Sequence, residues 1–269
     1  RLLFLLAVLC LAVCLLAGCA ARAATADPDA DLPTIVIGSD SYPPFNYLSA
    51  DGQPTGIDVE LATEAFRRMG YKAQFVTIDW VDKKELVENG TVDCLWGSFT
   101  MTGREDLYQW AGPYLYSRQM VLVQADSDIT TLADLAGKRV AVQATSKPET
   151  VFLERPEPER VPEVGEVYCF STMEEVYSAI RKGFVDAIAG HEGAMRTFME
   201  DSPGSWRILD QSLMVSGLGV AFPKGTNEIL SAQLTAVLQE MQKDGTTKAI
   251  VEKYGFDPDQ FFLGRGGSS

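Results

Sequence analysis

Leu132-Ala133-Asp134-Leu135-Ala136-Gly137-Lys138-Arg139-Val140-Ala141-Val142-Gln143 compresses a one-turn helix, a glycine stop and a strand into one stretch. Gly137 tolerates the left-handed backbone that ends a helix. Val140-Ala141-Val142 is apolar at every position, the mark of a strand covered on both faces. The same grammar continues on either side. Downstream, Met173 to Lys182 has helical spacing and stops at Gly183, and Ala187-Ile188-Ala189 is the next strand. Upstream, Met120 to Gln124 is a strand. Nearer the start, Thr34-Ile35-Val36-Ile37-Gly38 is a buried strand, and the paired prolines of Tyr42-Pro43-Pro44-Phe45 force a loop. Ile57, Leu61, Ala65, Phe66 and Met69 recur at helical spacing up to Gly70. Ala73 to Ile78 is a strand, Lys83 to Glu88 a short helix and Val92 to Trp96 a strand. Ile229 to Lys243 and Lys248 to Tyr254 are the closing helices. Strands alternating with helices predict an α/β fold of mostly parallel sheet flanked by helices. The pattern restarts once, which predicts two α/β units with a return to the first.

Composition narrows the function. The chain has 269 residues, room for two domains, and a formal net charge of −14. So acidic a chain lacks the clustered basic surface that binds nucleic acid. Its one histidine, His191, and the lack of any Cys-x-x-Cys argue against a metal, and no cofactor is expected. Residues 1–18 open with Arg1, run apolar to Leu16 and reach Leu16-Ala17-Gly18-Cys19, the pattern of an export signal. That ending resembles a bacterial lipobox, which would make Cys19 the acylated first residue of the mature protein and so a membrane anchor. The alternative is an ordinary signal peptide cut near Ala24. Residues 19–30 read as a tether and 265–269 as a frayed tail. Cys94 and Cys169 are expected to be buried and unpaired.

Several segments, in order, carry a family resemblance. They are Tyr42-Pro43-Pro44-Phe45, Gly56-Ile57-Asp58-Val59-Glu60-Leu61, Val92-Asp93, the Ser98/Thr100/Arg104 stretch and Trp110-Ala111-Gly112-Pro113-Tyr114. The opening stretch from Leu132, Gly183-Phe184-Val185-Asp186-Ala187 and Asp244-Gly245-Thr246 complete the set. Each is weak alone; together the chain resembles the family 3, polar-amino-acid solute-binding proteins over nearly all of residues 33–263. The resemblance implies a two-lobed, type II periplasmic-binding-protein-like fold with a two-strand hinge. Lobe 1 would be 31–118 with 216–264, and lobe 2 would be 119–215. It also implies a monomeric receptor, outside the cytoplasm, that captures a small carboxylate or amino acid and passes it to an ABC transporter permease. Two other functions stay open: an enzyme on the same fold, such as a cyclohexadienyl-dehydratase-like lyase, and a ligand sensor for a membrane partner.

The resemblance also assigns residues. Arg104 would hold the solute carboxylate through two parallel hydrogen bonds, although Asp93 to Arg104 is one residue shorter than the family spacing. The alternative is a surface arginine paired with Glu105 or Asp106. Ser98 and Thr100 would add hydroxyl or backbone contacts, and Ser146 with Thr145 would meet the same carboxylate from lobe 2. Ser146 is equally a helix cap. Tyr42 and Trp80 would flank the solute with aromatic rings, whereas Phe45 and Trp96 belong to the core. Asp40 is a candidate for the solute side chain, and Asp58 is expected to cap the helix after it. One departure stands out. Five residues after Asp186 the family places an aspartate for the α-ammonium; here the residue is His191, followed by Glu192. Either Glu192 swings in, or His191 accepts from the amine beside the rings, or the solute is not a standard α-amino acid.

Overall fold

The computed structural model describes residues 32–262. The export-signal, Cys19, tether and tail readings lie outside the described residues. In chain order the elements begin with β1 (Thr34–Ser39), β2 (Tyr47–Leu48), β3 (Pro54–Thr55), α1 (Ile57–Arg68) and β4 (Lys72–Thr77). A 3-10 turn (Trp80–Asp82) then leads into α2 (Lys83–Glu88), β5 (Cys94–Leu95) and the long β6 (Gln109–Gln124). A second 3-10 turn (Leu132–Leu135) precedes β7 (Arg139–Gln143), α3 (Lys147–Glu154), β8 (Glu166–Phe170), α4 (Met173–Arg181), β9 (Ala187–His191) and α5 (Glu192–Glu200). The chain ends through β10 (Trp206–Ile208), β11 (Met214–Phe222), α6 (Glu228–Lys243), α7 (Thr246–Lys253) and α8 (Asp259–Phe262).

Nine of the described strands join in one ladder of order β4-β1-β5-β11-β6-β9-β7-β8, with β10 on β6, and β2 pairs with β3 separately. β1 runs parallel to β4 and β5, and β7 runs parallel to β8 and β9. Between these parallel halves, β6 and β11 pair antiparallel and carry the chain from one half to the other. The two expected α/β units are therefore halves of a single hydrogen-bonded sheet. Alternation along β7 shows why the opening stretch is apolar throughout: Ala141 packs into one core cluster, and Val140 and Val142 into another. Each buried side chain of this size contributes about 1.5–3 kcal/mol.

The helices follow the sequence signals. In α1, Ile57, Leu61, Ala65 and Phe66 are buried as their spacing requires. α4 starts at a capping box in which Thr172 and Glu175 exchange side-chain-to-backbone bonds. β6 is longer than the sequence suggests because Gly112-Pro113 interrupts its pattern. The strand absorbs them at an irregularity opposite Leu218 and Val220. There the Gly219 N–H donates to the Phe99 carbonyl rather than to β6. Both described cysteines are free thiols. Cys94 is buried as expected, but Cys169 is exposed, because β8 is an edge strand that turns this face outward.

Candidate functional site

The carboxyl ends of β1, β7 and β9 and the loop after β5 converge on one cavity between the halves of the sheet. Asp40, Tyr42, Trp80, Ser98, Thr100, Arg104, Thr145, Ser146 and His191 all line it. Open α/β sheets place ligands at such strand ends. The cavity measures about 30 Å³, room for roughly two waters. As it stands this space is smaller than an amino acid.

Arg104 reaches the cavity from a tight turn. Its N–H donates to the Met101 carbonyl at 2.8 Å, and Gly103 takes a left-handed φ of 71°. The guanidinium donates to the Thr100 carbonyl (3.3 Å) and, across the cleft, to the Thr145 carbonyl (2.8 Å). It pairs with neither Glu105 nor Asp106. Burial pulls its pKa down. Thr145 itself sits at φ 58°, a strained conformation for a β-branched residue. Its N–H is held by the Glu149 carboxylate at 2.7 Å. Ser146 caps α3, accepting from the Glu149 N–H at 3.4 Å.

Ser98 is clamped from behind. Asp58 Oδ2 accepts from the Ser98 N–H (2.6 Å) and the Tyr114 hydroxyl (2.9 Å). Asp58 is thus not a helix cap: α1 begins at Gly56, with φ 124° and no side-chain cap. One turn of helix away, Asp58 is fully buried and holds the site loop at φ 49°. The other Asp58 oxygen, Oδ1, has no partner, and burial pushes the carboxyl up to about 7. Thr100 lends its carbonyl to Arg104 and pairs its hydroxyl with Ser216 (3.3 Å).

His191 and Glu192 part company. The imidazole lines the cavity, edge-on to Tyr42 at 5.8 Å. The backbone N–H of His191 donates to the Tyr42 hydroxyl at 3.2 Å. Ser117 Oγ lies 2.9 Å from Nδ1 and the Gln119 amide nitrogen 3.0 Å from Nε2, which suits the one donor and one acceptor of a neutral ring. Gly190 permits this approach, since a Cβ there would stand 2.9 Å from the Tyr42 hydroxyl. Glu192, expected as a substitute acid, does not line the cavity. Its carboxylate takes two bonds of 2.7 Å from Arg118 and two more, 3.0 and 2.7 Å, from Arg196. Swinging it inward would break four charge-assisted bonds.

Burial, aided by the Arg104 cation, draws the His191 pKa from 6.5 to about 4. The unfolded chain therefore binds a proton between pH 6.5 and 4 that the folded one refuses, and this contribution to stability is lost as pH falls through that window. Asp58 has the opposite sign. Raised from 3.8 to about 7, it holds a proton in the folded chain that the unfolded chain releases, so its contribution declines as pH rises between those values. The two slopes oppose each other. Between about pH 4 and 6.5, His191→Gln should become less stable with rising pH relative to the parent, and Asp58→Asn more stable. Urea midpoints measured across that range check this; three parallel curves would contradict both assignments.

Asp40, whose carboxyl burial pushes up, accepts from Gln143 across the cleft at 2.7 Å and from Asn46. Phe45 and Trp96 are core residues as read. Several cavity groups carried no sequence signal. Gln119, Gln143 and Lys147 line it, and Lys83, only 4% exposed, donates to the Trp80 carbonyl (3.0 Å) and Thr145 Oγ1 (2.5 Å). Among the described residues no cluster of side chains could hold a metal, and no helix is long and apolar enough to cross a membrane.

A mixed α/β sheet bridged by two antiparallel strands, with polar groups from both halves around a central cavity, defines the class of type II periplasmic-type binding proteins. The family model for bacterial extracellular solute-binding proteins, family 3, matches residues 35–257, and the chain belongs to that family. It is similar to the L-cystine-binding protein TcyJ of Escherichia coli, 28% identical over 82% of this chain and 82% of the relative. It is also similar to the histidine-binding periplasmic protein of Salmonella typhimurium, 30% identical over 84% and 89%. The solved structure of an ancestral arginine-binding protein bound to arginine aligns with a TM-score of 0.74 at 27% identity, covering 82% of this chain and 97% of that one. These relatives are binding proteins by name, and the chain is a solute receptor of the extracytoplasmic space rather than an enzyme.

Proposed function

We propose that the chain captures a small solute through its carboxylate, with lobe 1 (31–118 and 216–264) and lobe 2 (119–215) closing over it, and delivers it to an ABC transporter permease. One observation carries this reading. The Arg104 guanidinium is half-buried at the meeting of the two halves and, among the described residues, hydrogen-bonds only to neutral carbonyl oxygens. A carboxylate brought to it would gain two charge-assisted bonds and neutralise a half-buried charge. Contacts already join the two lobes, among them Arg104 to Thr145, Lys83 to Thr145, Gln143 to Asp40 and His191 to Tyr42. Closure around a ligand is the motion such hinged halves perform. An amino acid or related compound fits the names of the relatives. Attachment to the membrane through lipid on Cys19 fits the Leu16-Ala17-Gly18-Cys19 ending.

The test is a thermal-shift screen against amino acids, short organic acids and cyclic carboxylates. One class should raise the melting temperature, because a ligand held only by the folded state stabilises it. The bound solute should be recovered chemically unaltered. No shift with any carboxylate would contradict the reading.

A further inference from the structure

We infer that the cleft is built for a solute with two anionic groups, Arg104 taking one and Lys83 the other; this rests on the carboxylate-capture reading above. Two cations, Lys83 buried and Arg104 half-buried, converge on the same neighbours. Lys83 Nζ and the Arg104 guanidinium both bond to Thr145, one to its hydroxyl and one to its carbonyl. Both also lie against the ring of Phe99, at 5.7 and 5.3 Å from its centre. Lys83 stands over Trp80 as well, at 5.1 Å. Every hydrogen bond that either cation makes goes to a neutral oxygen. The acids close enough to act on Lys83 through space are Asp40, Glu149 and Asp79. Each is engaged elsewhere: Asp40 with Gln143, Glu149 with the Thr145 N–H, Asp79 with the Val81 N–H.

Two like charges held close together with no anion hydrogen-bonded to either are costly, and burial with the Arg104 cation drags the Lys83 pKa down to about 7. A single carboxylate on Arg104 relieves one of them. A second anionic group, replacing the Thr145 hydroxyl as the acceptor for Lys83, relieves the other. The ammonium of a simple α-amino acid would add a further positive charge to those of Arg104, Lys83 and the cavity-lining Lys147, and where the family resemblance calls for an acid, the uncharged His191 offers none. The solute class is thus a short dicarboxylate or a dicarboxylic amino acid, and Lys83 is the residue that determines specificity.

Calorimetric titration of the purified protein at about pH 6, where the Lys83 ammonium form is favoured, tests this with matched probes: succinate against succinamate, and L-glutamate against L-glutamine. The dianionic member of at least one pair should bind about tenfold tighter or more than its amide. In Lys83→Met that ratio should shrink to within about twofold, while affinity for the amide persists. Lys83→Gln serves if the methionine variant does not fold. Equal binding of acid and amide by the parent protein, or an unchanged ratio in the variant, overturns the inference and leaves carboxylate capture standing. Failure of every carboxylate to bind removes both.

Discussion

Arg104→Met should weaken carboxylate binding by about a hundredfold or more while leaving the solute-free protein as stable as its parent. Removing one partner from a buried, hydrogen-bonded charge pair costs about 2–5 kcal/mol, and each 1.4 kcal/mol is a factor of ten. Much of that cost would be the solute carboxylate left facing an apolar side chain. Stability should respond differently. In the solute-free form Arg104 contributes two bonds to carbonyls and contact with Phe99. Against these stand the desolvation of its charge and repulsion from Lys83. The methionine stem keeps the contact and discards the charge, so the melting temperature should move by no more than a few degrees. Calorimetry and circular-dichroism melting read the two quantities separately. Affinity within about threefold of the parent would show that the solute does not meet Arg104.

Asp58→Ala should have the largest effect on folding. It removes the acceptor for a buried backbone N–H and a buried tyrosine hydroxyl at once, leaving the Ser98 N–H and Tyr114 unpaired. Each orphaned group costs about 1–3 kcal/mol, so a loss of about 2–6 kcal/mol is expected. The damage should spread to the site, because Asp58 is what keeps Ser98 at its positive φ. Asp58→Asn should retain most of the stability. Its oxygen can still accept from Ser98, and an uncharged group suits a position where burial already favours the protonated acid. Denaturant unfolding of both variants distinguishes the cases. Equal losses would mean that charge, not hydrogen bonding, holds the loop.

Much of the fold was legible because strands such as Val140-Ala141-Val142 are buried on both faces and leave an unbroken apolar run. The edge strand β8 and the proline-bearing β6 lack that signature, and both were missed or truncated. The cavity residues reached through the family resemblance, from Asp40 to His191, come together in space. Consecutive residues at a strand end were harder. His191 closes β9 and Glu192 opens α5, so their side chains diverge, and sequence leaves open which of them faces the cleft. Asp58 reads as a cap because acids favour helix starts, but the turn at Gly56 directs it to Ser98 instead. Lys83 gave no warning at all. A lysine in a short polar helix reads as a solvated side chain, and only the fold reveals that Trp80, Phe99 and Thr145 surround it.

The most direct measurement is a crystal structure of the protein with the carboxylate that gives the greatest thermal shift. The account requires the solute carboxylate to lie between the halves, forked on the Arg104 guanidinium by two N–H···O bonds of about 2.7–2.9 Å. A solute bound elsewhere, with Arg104 still donating to the Thr145 carbonyl, would contradict it.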